Sequence, residues 1–209
     1  MSRDLTKTHL YHITDVSNLP SILAIGGLLS DCALTGVAHQ IIGYTNIKQR
    51  RMTQYRVPCC GNRFVGEFVP FYFCPRSPML YTVNLGNTGR SRGCQTSIVH
   101  LVTTVSIAAN QGRAFAISDV NAGTGYATFR NDLASLDDPA HLRWADIQTN
   151  QWQGKMHSKQ AEFLVADRFD WSAIVYVGCH NGTTVAQVTK LMPQQGGAKV
   201  GVQPGWYYS

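Results

Sequence analysis

The chain has 209 residues, room for one ordinary domain with a substantial core around a concave site but crowded for two. A 44% hydrophobic share, with Trp, Tyr and Phe spread from Tyr11 to Tyr208, excludes general disorder. Eighteen Lys and Arg against twelve Asp and Glu leave a formal charge of +6, which suits a polyanionic partner such as nucleic acid without demanding one.

In chain order, Met1 to Lys7 has no apolar run behind its charges, and no stretch of about 18 uninterrupted apolar residues follows anywhere. The expectation is a cytoplasmic protein that meets no membrane. Leu10 to Ile13 predicts a short strand, Asn18 to Ala24 a helix stopped by Gly26-Gly27, and Leu28-Leu29 the start of a new segment. Ile41 to Met52 is polar, basic and weakly periodic, a surface loop or short helix. It begins the first basic cluster, Lys48, Arg50, Arg51, Arg56 and Arg63. Phe68 to Phe73 favours a strand, ended by Pro75-Arg76-Ser77-Pro78. Arg90 and Arg92 form a second basic cluster. Ser97 to Val102 and Phe115 to Ser118 predict two more strands. From Ala127 to Trp152 the sequence is mixed and polar, which suggests helical pieces on a long excursion of the kind that is often functional. Strands return at Ala161 to Val165, Ile174 to Val177 and Val200 to Val202. Several strands, few helices and irregular order predict a single α+β domain built on two small sheets.

Glu162 is the most informative position, because a carboxylate in the apolar run Ala161 to Val165 costs free energy unless something pairs with it. Gln160, two residues earlier, would share its face if both lie on an extended strand. Judged alone, Glu162 fits a strand-end residue facing solvent better than a catalytic one. His12 could bond ribose hydroxyls, although a lone strand histidine is more often a satisfied core residue. Arg51 could clamp a pyrophosphate or offset developing negative charge, with Arg50 as its immediate rival. No Gly-x-Gly-x-x-Gly opens a helix after a strand and no P-loop occurs, so a nucleotide site must be of another type. Cys32, Cys59, Cys60, Cys74, Cys94 and Cys179 lack zinc spacing and disulfide density, which points to reduced thiols and no metal.

Taken together, Tyr11-His12-Ile13-Thr14 with Asn18-Leu19, Arg50-Arg51, the block from Val69 to Tyr81 (VPFYFCPRSPMLY), Asp119-Val120-Asn121-Ala122, Gln160 to Val165 and Pro204 to Tyr208 resemble the DarT toxins in order and spacing. The resemblance covers nearly the whole chain. It implies an ADP-ribosyltransferase fold of two packed, mostly antiparallel sheets with peripheral helices and an NAD cleft between them. It also implies transfer of ADP-ribose from NAD to a base of single-stranded DNA, usually thymine, and a macrodomain antitoxin, DarG, that removes the mark. Carried over by motif, Glu162 is the catalytic glutamate and Arg51 assists it. Tyr11, His12, Ile13, Thr14, Asn18 and Leu28 line the NAD site under a covering loop from Gly36 to Arg51, and the stretch from Asp119 to Gln160 recognises the substrate. Asn121, Tyr126, Arg92 and Trp152 are expected to meet the DNA, and Phe129 and Trp144 are further aromatic candidates for stacking. The competing expectations are an NAD-dependent transferase acting on protein or RNA, and a nucleic-acid-binding module without catalysis.

Overall fold

The computed structural model describes residues 2–192 and 197–209. Strand β1 (His9–Asp15) opens the fold and stops where Asp15 turns back to accept hydrogen bonds from the Ser17 backbone at 3.0 Å and its hydroxyl at 2.7 Å. Helix α1 (Leu19–Ile25) follows with a proline in its first turn. It ends on Gly26 at φ 78°, a left-handed C-terminal cap that glycine adopts at no steric cost. β2 (Gly27–Leu29) then lies against β10 (Arg168–Asp170) so closely that a Cβ on Gly27 would sit 2.2 Å from the Phe169 carbonyl oxygen.

The remaining elements are α2 (Thr45–Thr53), β3 (Arg56–Val57), β4 (Arg63–Phe64), β5 (Phe68–Tyr72), α3 (Pro78–Asn84), β6 (Ile98–Thr104), α4 (Val105–Ala109), β7 (Phe115–Ser118), β8 (Phe129–Arg130), α5 (Trp144–Gln148), α6 (Met156–Lys159), β9 (Glu162–Ala166), β11 (Tyr176–Cys179), α7 (Gly182–Leu191) and β12 (Lys199–Val202). Eight strands make one sheet in the order β12-β11-β6-β1-β5-β9-β7-β8, antiparallel except for the β11–β12 pair.

This sheet is two halves joined at a seam. β1 runs along β6 from His9–Thr104 to Asp15–Ile98, and β5 runs along β9 from Phe68–Ala166 to Tyr72–Glu162, but β1 meets β5 only at Tyr11–Tyr72. Pro70 accounts for the break. It has no N–H for a ladder bond toward β1, and its carbonyl is taken instead by the His12 side chain, Nδ1 to O at 2.9 Å. The two small sheets expected from the sequence are these halves, continuous through one register pair.

Both faces of β9 are buried, so after Glu162 its sequence reads as an apolar run from Phe163 to Ala166. Phe163 and Val165 pack with Val69, Phe71, Leu101 and Phe169 on one side, and Leu164 and Ala166 with Val57, Phe68 and Ala116 on the other. The Ser-Pro-Met-Leu run ends one element and starts another: Ser77 caps α3, its hydroxyl accepting from the Leu80 N–H at 3.2 Å. No described helix is long and apolar enough to cross a membrane.

His100 lies at 0% exposure in β6, with Nε2 donating to the Pro75 carbonyl at 3.0 Å. Burial pushes its imidazole down to about 4. The unfolded chain takes up this proton near 6.5, so the stabilisation is fully present above that pH and is lost as pH falls from about 6.5 toward about 4. The expected slope is at most about 1.4 kcal/mol per pH unit for this one proton. Melting curves between pH 7.5 and 4.5 check it: His100→Gln should flatten the acid slope, and an unchanged slope would assign it to other groups.

Candidate active site

A cavity of about 410 Å³ lies where the two half-sheets part, within the size range of small-molecule sites. His12, Ile13 and Thr14 of β1 and Pro70 and Tyr72 of β5 line it at the seam, and Asn18, Leu28 and residues of the segment from Val37 to Lys48 complete the lining. That segment is tied down at two points. The Asn18 amide clamps Gln40 reciprocally, Nδ2 to the Gln40 carbonyl at 2.9 Å and the Gln40 N–H to Oδ1 at 2.7 Å. Lys48 Nζ reaches Asp31 at 3.1 Å and His39 Nε2 at 2.8 Å.

Glu162 is part of the cavity lining and 1% exposed. Strand alternation puts it on the face of Leu164, opposite Tyr72 on one side and Ser118 on the other. Its N–H donates to Ser118 Oγ at 3.1 Å, and that hydroxyl donates to the Val120 carbonyl at 2.7 Å. Its carboxylate takes a two-pronged bond from Arg51, Nη1 to Oε1 at 3.0 Å and Nη2 to Oε2 at 2.8 Å, and a third from the Ala122 N–H to Oε1 at 3.0 Å. A carboxylate offers roughly four acceptor positions. These bonds leave one open, on Oε2.

Arg51 reaches this position because α2 is seated closely. A Cβ on Gly66 would lie 2.8 Å from the Met52 Cα, so glycine there lets the helix backbone approach. Arg51 is the one buried residue of α2. Burial opposes its charge, but Glu162 more than offsets this and holds the guanidinium above its ordinary value. Burial, with Glu162 beside it, pushes the Tyr72 hydroxyl up as well, so it stays protonated; it donates to Met79 Sδ at 3.4 Å. Burial pushes His12 down. The carbonyl of Pro70 can only accept, so Nδ1 of the neutral ring carries the proton and Nε2 is an acceptor.

Of the residues expected from the sequence, His12, Ile13, Thr14, Asn18, Leu28, Arg51, Asn121 and Glu162 all line the cavity. Tyr11 is not part of its lining. Its ring packs edge-on against Trp206 at 5.2 Å and His100 at 6.3 Å, because alternation along β1 turns it to the opposite face from His12. Arg50 is exposed and lies against Tyr55. Gln160 shares the cavity with Glu162, but not by strand alternation: it ends α6 at φ −97°, ψ 9°, and β9 begins only at Glu162. Its amide is oriented instead by Asn121. The Gly123 N–H donates to Asn121 Oδ1 at 2.7 Å, which turns Asn121 Nδ2 toward Gln160 Oε1 at 2.9 Å.

Tyr126, Arg92 and Trp152 are not among the cavity-lining residues. Tyr126 is 60% exposed and bonded to His157 at 2.9 Å, Arg92 is exposed, and Trp152 packs against Tyr81 and Tyr208. Trp144 is half-buried and packs on the core against Phe73, its indole N–H bonded to the Leu136 carbonyl at 2.7 Å, and Phe129 packs on the second core cluster. Among the described residues, no group of three or more His, Cys, Asp and Glu side chains could hold a metal ion. Sequence reasoning missed the Ala122 N–H, the Ser118 hydroxyl and the Asp31–Lys48–His39 tie. A backbone donor leaves no mark in residue identity, and the tie joins residues from a turn, a loop and helix α2.

A family model described as "ssDNA thymidine ADP-ribosyltransferase, DarT" matches residues 11–208. The chain belongs to the DarT family. A relative from Thermus aquaticus, named DNA ADP-ribosyl transferase, is 36% identical over 204 residues, spanning 96% of this chain and 89% of the relative. The structure of Thermus sp. 2.9 DarT in complex with ADP-ribosylated ssDNA matches with a TM-score of 0.88 at 32% identity, and the complex of that DarT with NAD+ with 0.83 at 30%; each match covers 100% of both chains. The seam and its cavity are thus part of an α+β fold that DarT enzymes use for NAD-dependent ADP-ribosylation of DNA.

Proposed function

We propose that the chain transfers ADP-ribose from NAD to a thymine of single-stranded DNA, with Glu162 as the catalytic carboxylate and Arg51 assisting it. One observation carries this reading: in the lining of the cavity at the seam a buried carboxylate is held by three donors with one acceptor position open on Oε2. Breaking the bond between nicotinamide and ribose develops positive charge on the ribose. A fixed carboxylate beside that ribose stabilises the charge and accepts a hydroxyl hydrogen bond at its open position.

Attack by the base forms a bond from thymine N3 to the ribose C1′ as the C1′–nicotinamide bond breaks and nicotinamide leaves neutral. The N3 proton passes to Glu162 and then to solvent, while Arg51 turns to offset negative charge growing on the base oxygens. Unpaired bases suit this chemistry, because a paired one must first be extruded at a cost of a few kcal/mol. His12, Ile13, Thr14, Asn18 and Leu28 would hold NAD, residues 36–51 would cover it, and residues 119–160 would present the DNA. In that stretch Asn121 lines the cavity next to Ala122, whose N–H bonds the carboxylate, while Tyr126 and Trp152, like Arg92 before them, stand outside the lining. The same reading makes the chain the toxin of a pair, acting in the cytoplasm and countered by a macrodomain antitoxin similar to DarG.

Two measurements test this in sequence. NAD at about 100 times its Kd should stabilise the protein by about 2.7 kcal/mol, read as a rise in melting temperature. Labelled NAD should then mark single-stranded DNA in preference to RNA, duplex or protein. Equal labelling of protein or RNA would move the acceptor outside DNA, and no thermal response to NAD would leave a binding module without this chemistry.

A further inference from the structure

Exposed large apolar side chains line the cavity or adjoin its lining residues. Among the described residues Ile41, Tyr44 and Met156 are exposed and line it, Tyr81 stands on α3 beside the lining residues Met79 and Thr82, and Tyr126 is bonded to His157 next to Met156. Val175 and Val202, the others of this kind, lie by the β11–β12 edge of the sheet. Within the gathered set, Tyr81 meets Trp152 at 5.4 Å and 82° and Tyr208 at 5.0 Å and 65°, and Trp152 meets Tyr208 at 6.4 Å and 68°. Rings that meet edge to face leave part of their faces uncovered by one another, and Tyr81 is 37% exposed.

This group is anchored at both ends. The Tyr208 hydroxyl donates toward the Arg76 carbonyl at 2.8 Å and the Ser77 carbonyl at 3.1 Å, where α3 begins, and the Arg76 guanidinium stands 5.9 Å from the Tyr208 ring centre. Trp152 rides on the short connection between α5 and α6. That connection is fixed at its root by Lys159, a fully buried side chain whose ammonium donates to the Ile147 carbonyl at 2.9 Å and the Thr149 carbonyl at 2.8 Å. No carboxylate pairs with it among the described residues. Its other neighbour is the Cys74 thiol, and a buried ammonium held by carbonyls and a thiol is costly, so its place here calls for a reason beyond filling space. The two carbonyls lie at the C-terminal end of α5, where unpaired backbone acceptors favour a cation. Lys159 also stands one residue before Gln160, so a single side chain ties the Trp152 connection to the chain entering the catalytic strand.

We propose that Tyr81, Trp152 and Tyr208 form a stacking subsite for a base next to the modified one in single-stranded DNA. Arg76 faces the adjoining phosphate, and Lys159 is the positioning residue that sets Trp152. The proposal rests on the reading that single-stranded DNA is the substrate. Aromatic faces beside a cation take up unpaired bases with little regard to identity, and the wild-type chain carries a net positive charge suited to the strand.

The test uses the full chain, NAD and short thymine-containing oligonucleotides in which each neighbour of the target is replaced in turn by an abasic residue. Tyr81→Ala and Trp152→Ala should raise KM for the intact oligonucleotide by about 5- to 100-fold, with kcat and the thermal response to NAD retained, and Trp152→Phe should restore most of the affinity. One abasic position should weaken the wild type by a similar factor yet cost Tyr81→Ala nothing further, the coupling that direct contact requires. Lys159→Met should reproduce the rise in KM while keeping the response to NAD. Wild-type KM in both alanine variants, or abasic losses that simply add, would overturn the subsite while the proposed function stands. Failure of the wild type to modify any oligonucleotide would remove the function and the subsite with it.

Discussion

Glu162→Gln is expected to lower DNA labelling by about 10²- to 10⁴-fold, the range for losing a positioned general base or a fixed charge at the reacting centre. Glutamine keeps the shape of the side chain but brings an NH2 where three donors now converge, from Arg51 twice and from Ala122. It can neither receive the base proton nor face the ribose as an anion. The fold should survive, because Arg51 borders the cavity and water entering there can satisfy the guanidinium. Gel labelling with radioactive NAD reads the activity, and a denaturant midpoint reads the fold. Residual labelling within a few-fold of wild type would show that the carboxylate is not needed.

Arg51→Met should be worse for the fold than Glu162→Gln, although both break the same pair. Glu162 is 1% exposed by its side chain against 10% for Arg51, so the stranded carboxylate has far less access to water than the stranded guanidinium would have. Removing one partner of a buried pair costs about 3–5 kcal/mol, and the upper part of that range belongs to the arginine variant. The double variant Arg51→Met with Glu162→Gln should regain much of the loss, a non-additivity expected of directly bonded groups. Arg50→Ala, on the exposed face of α2 against Tyr55, should leave stability and labelling near wild type. Equal destabilisation at Arg50 and Arg51 would contradict the assigned pairing.

These asymmetries bear on what the sequence could disclose. β7 was legible to its end residues, and β1, β5, β6 and β9 to within a few, because aromatic and β-branched runs between turn residues have few other solutions. α2 read as an ambiguous polar stretch for a physical reason: with Arg51 its only buried residue, it has no apolar stripe to set a period. α3 was hidden because Ser77-Pro78 ends one element and starts the next. Gln160 and Glu162 belong together, but through an α6 turn and an amide bond from Asn121 rather than through pleat. The seam depends on Pro70 facing β1, which residue identity alone does not give, since it requires knowing which strand becomes the neighbour. Motif order supplied Glu162 and Arg51; chain geometry explains how they meet.

The central claim is that this pair directs ADP-ribose to the N3 position of an unpaired thymine. Mass spectrometry of two single-stranded oligonucleotides, identical except that one carries N3-methylthymine at its single thymine, tests it most directly after incubation with the protein and NAD. The expected result is one ADP-ribose on the unmethylated thymine and none on the methylated strand. An adduct of equal yield on both strands, or one mapped to another base, would contradict it.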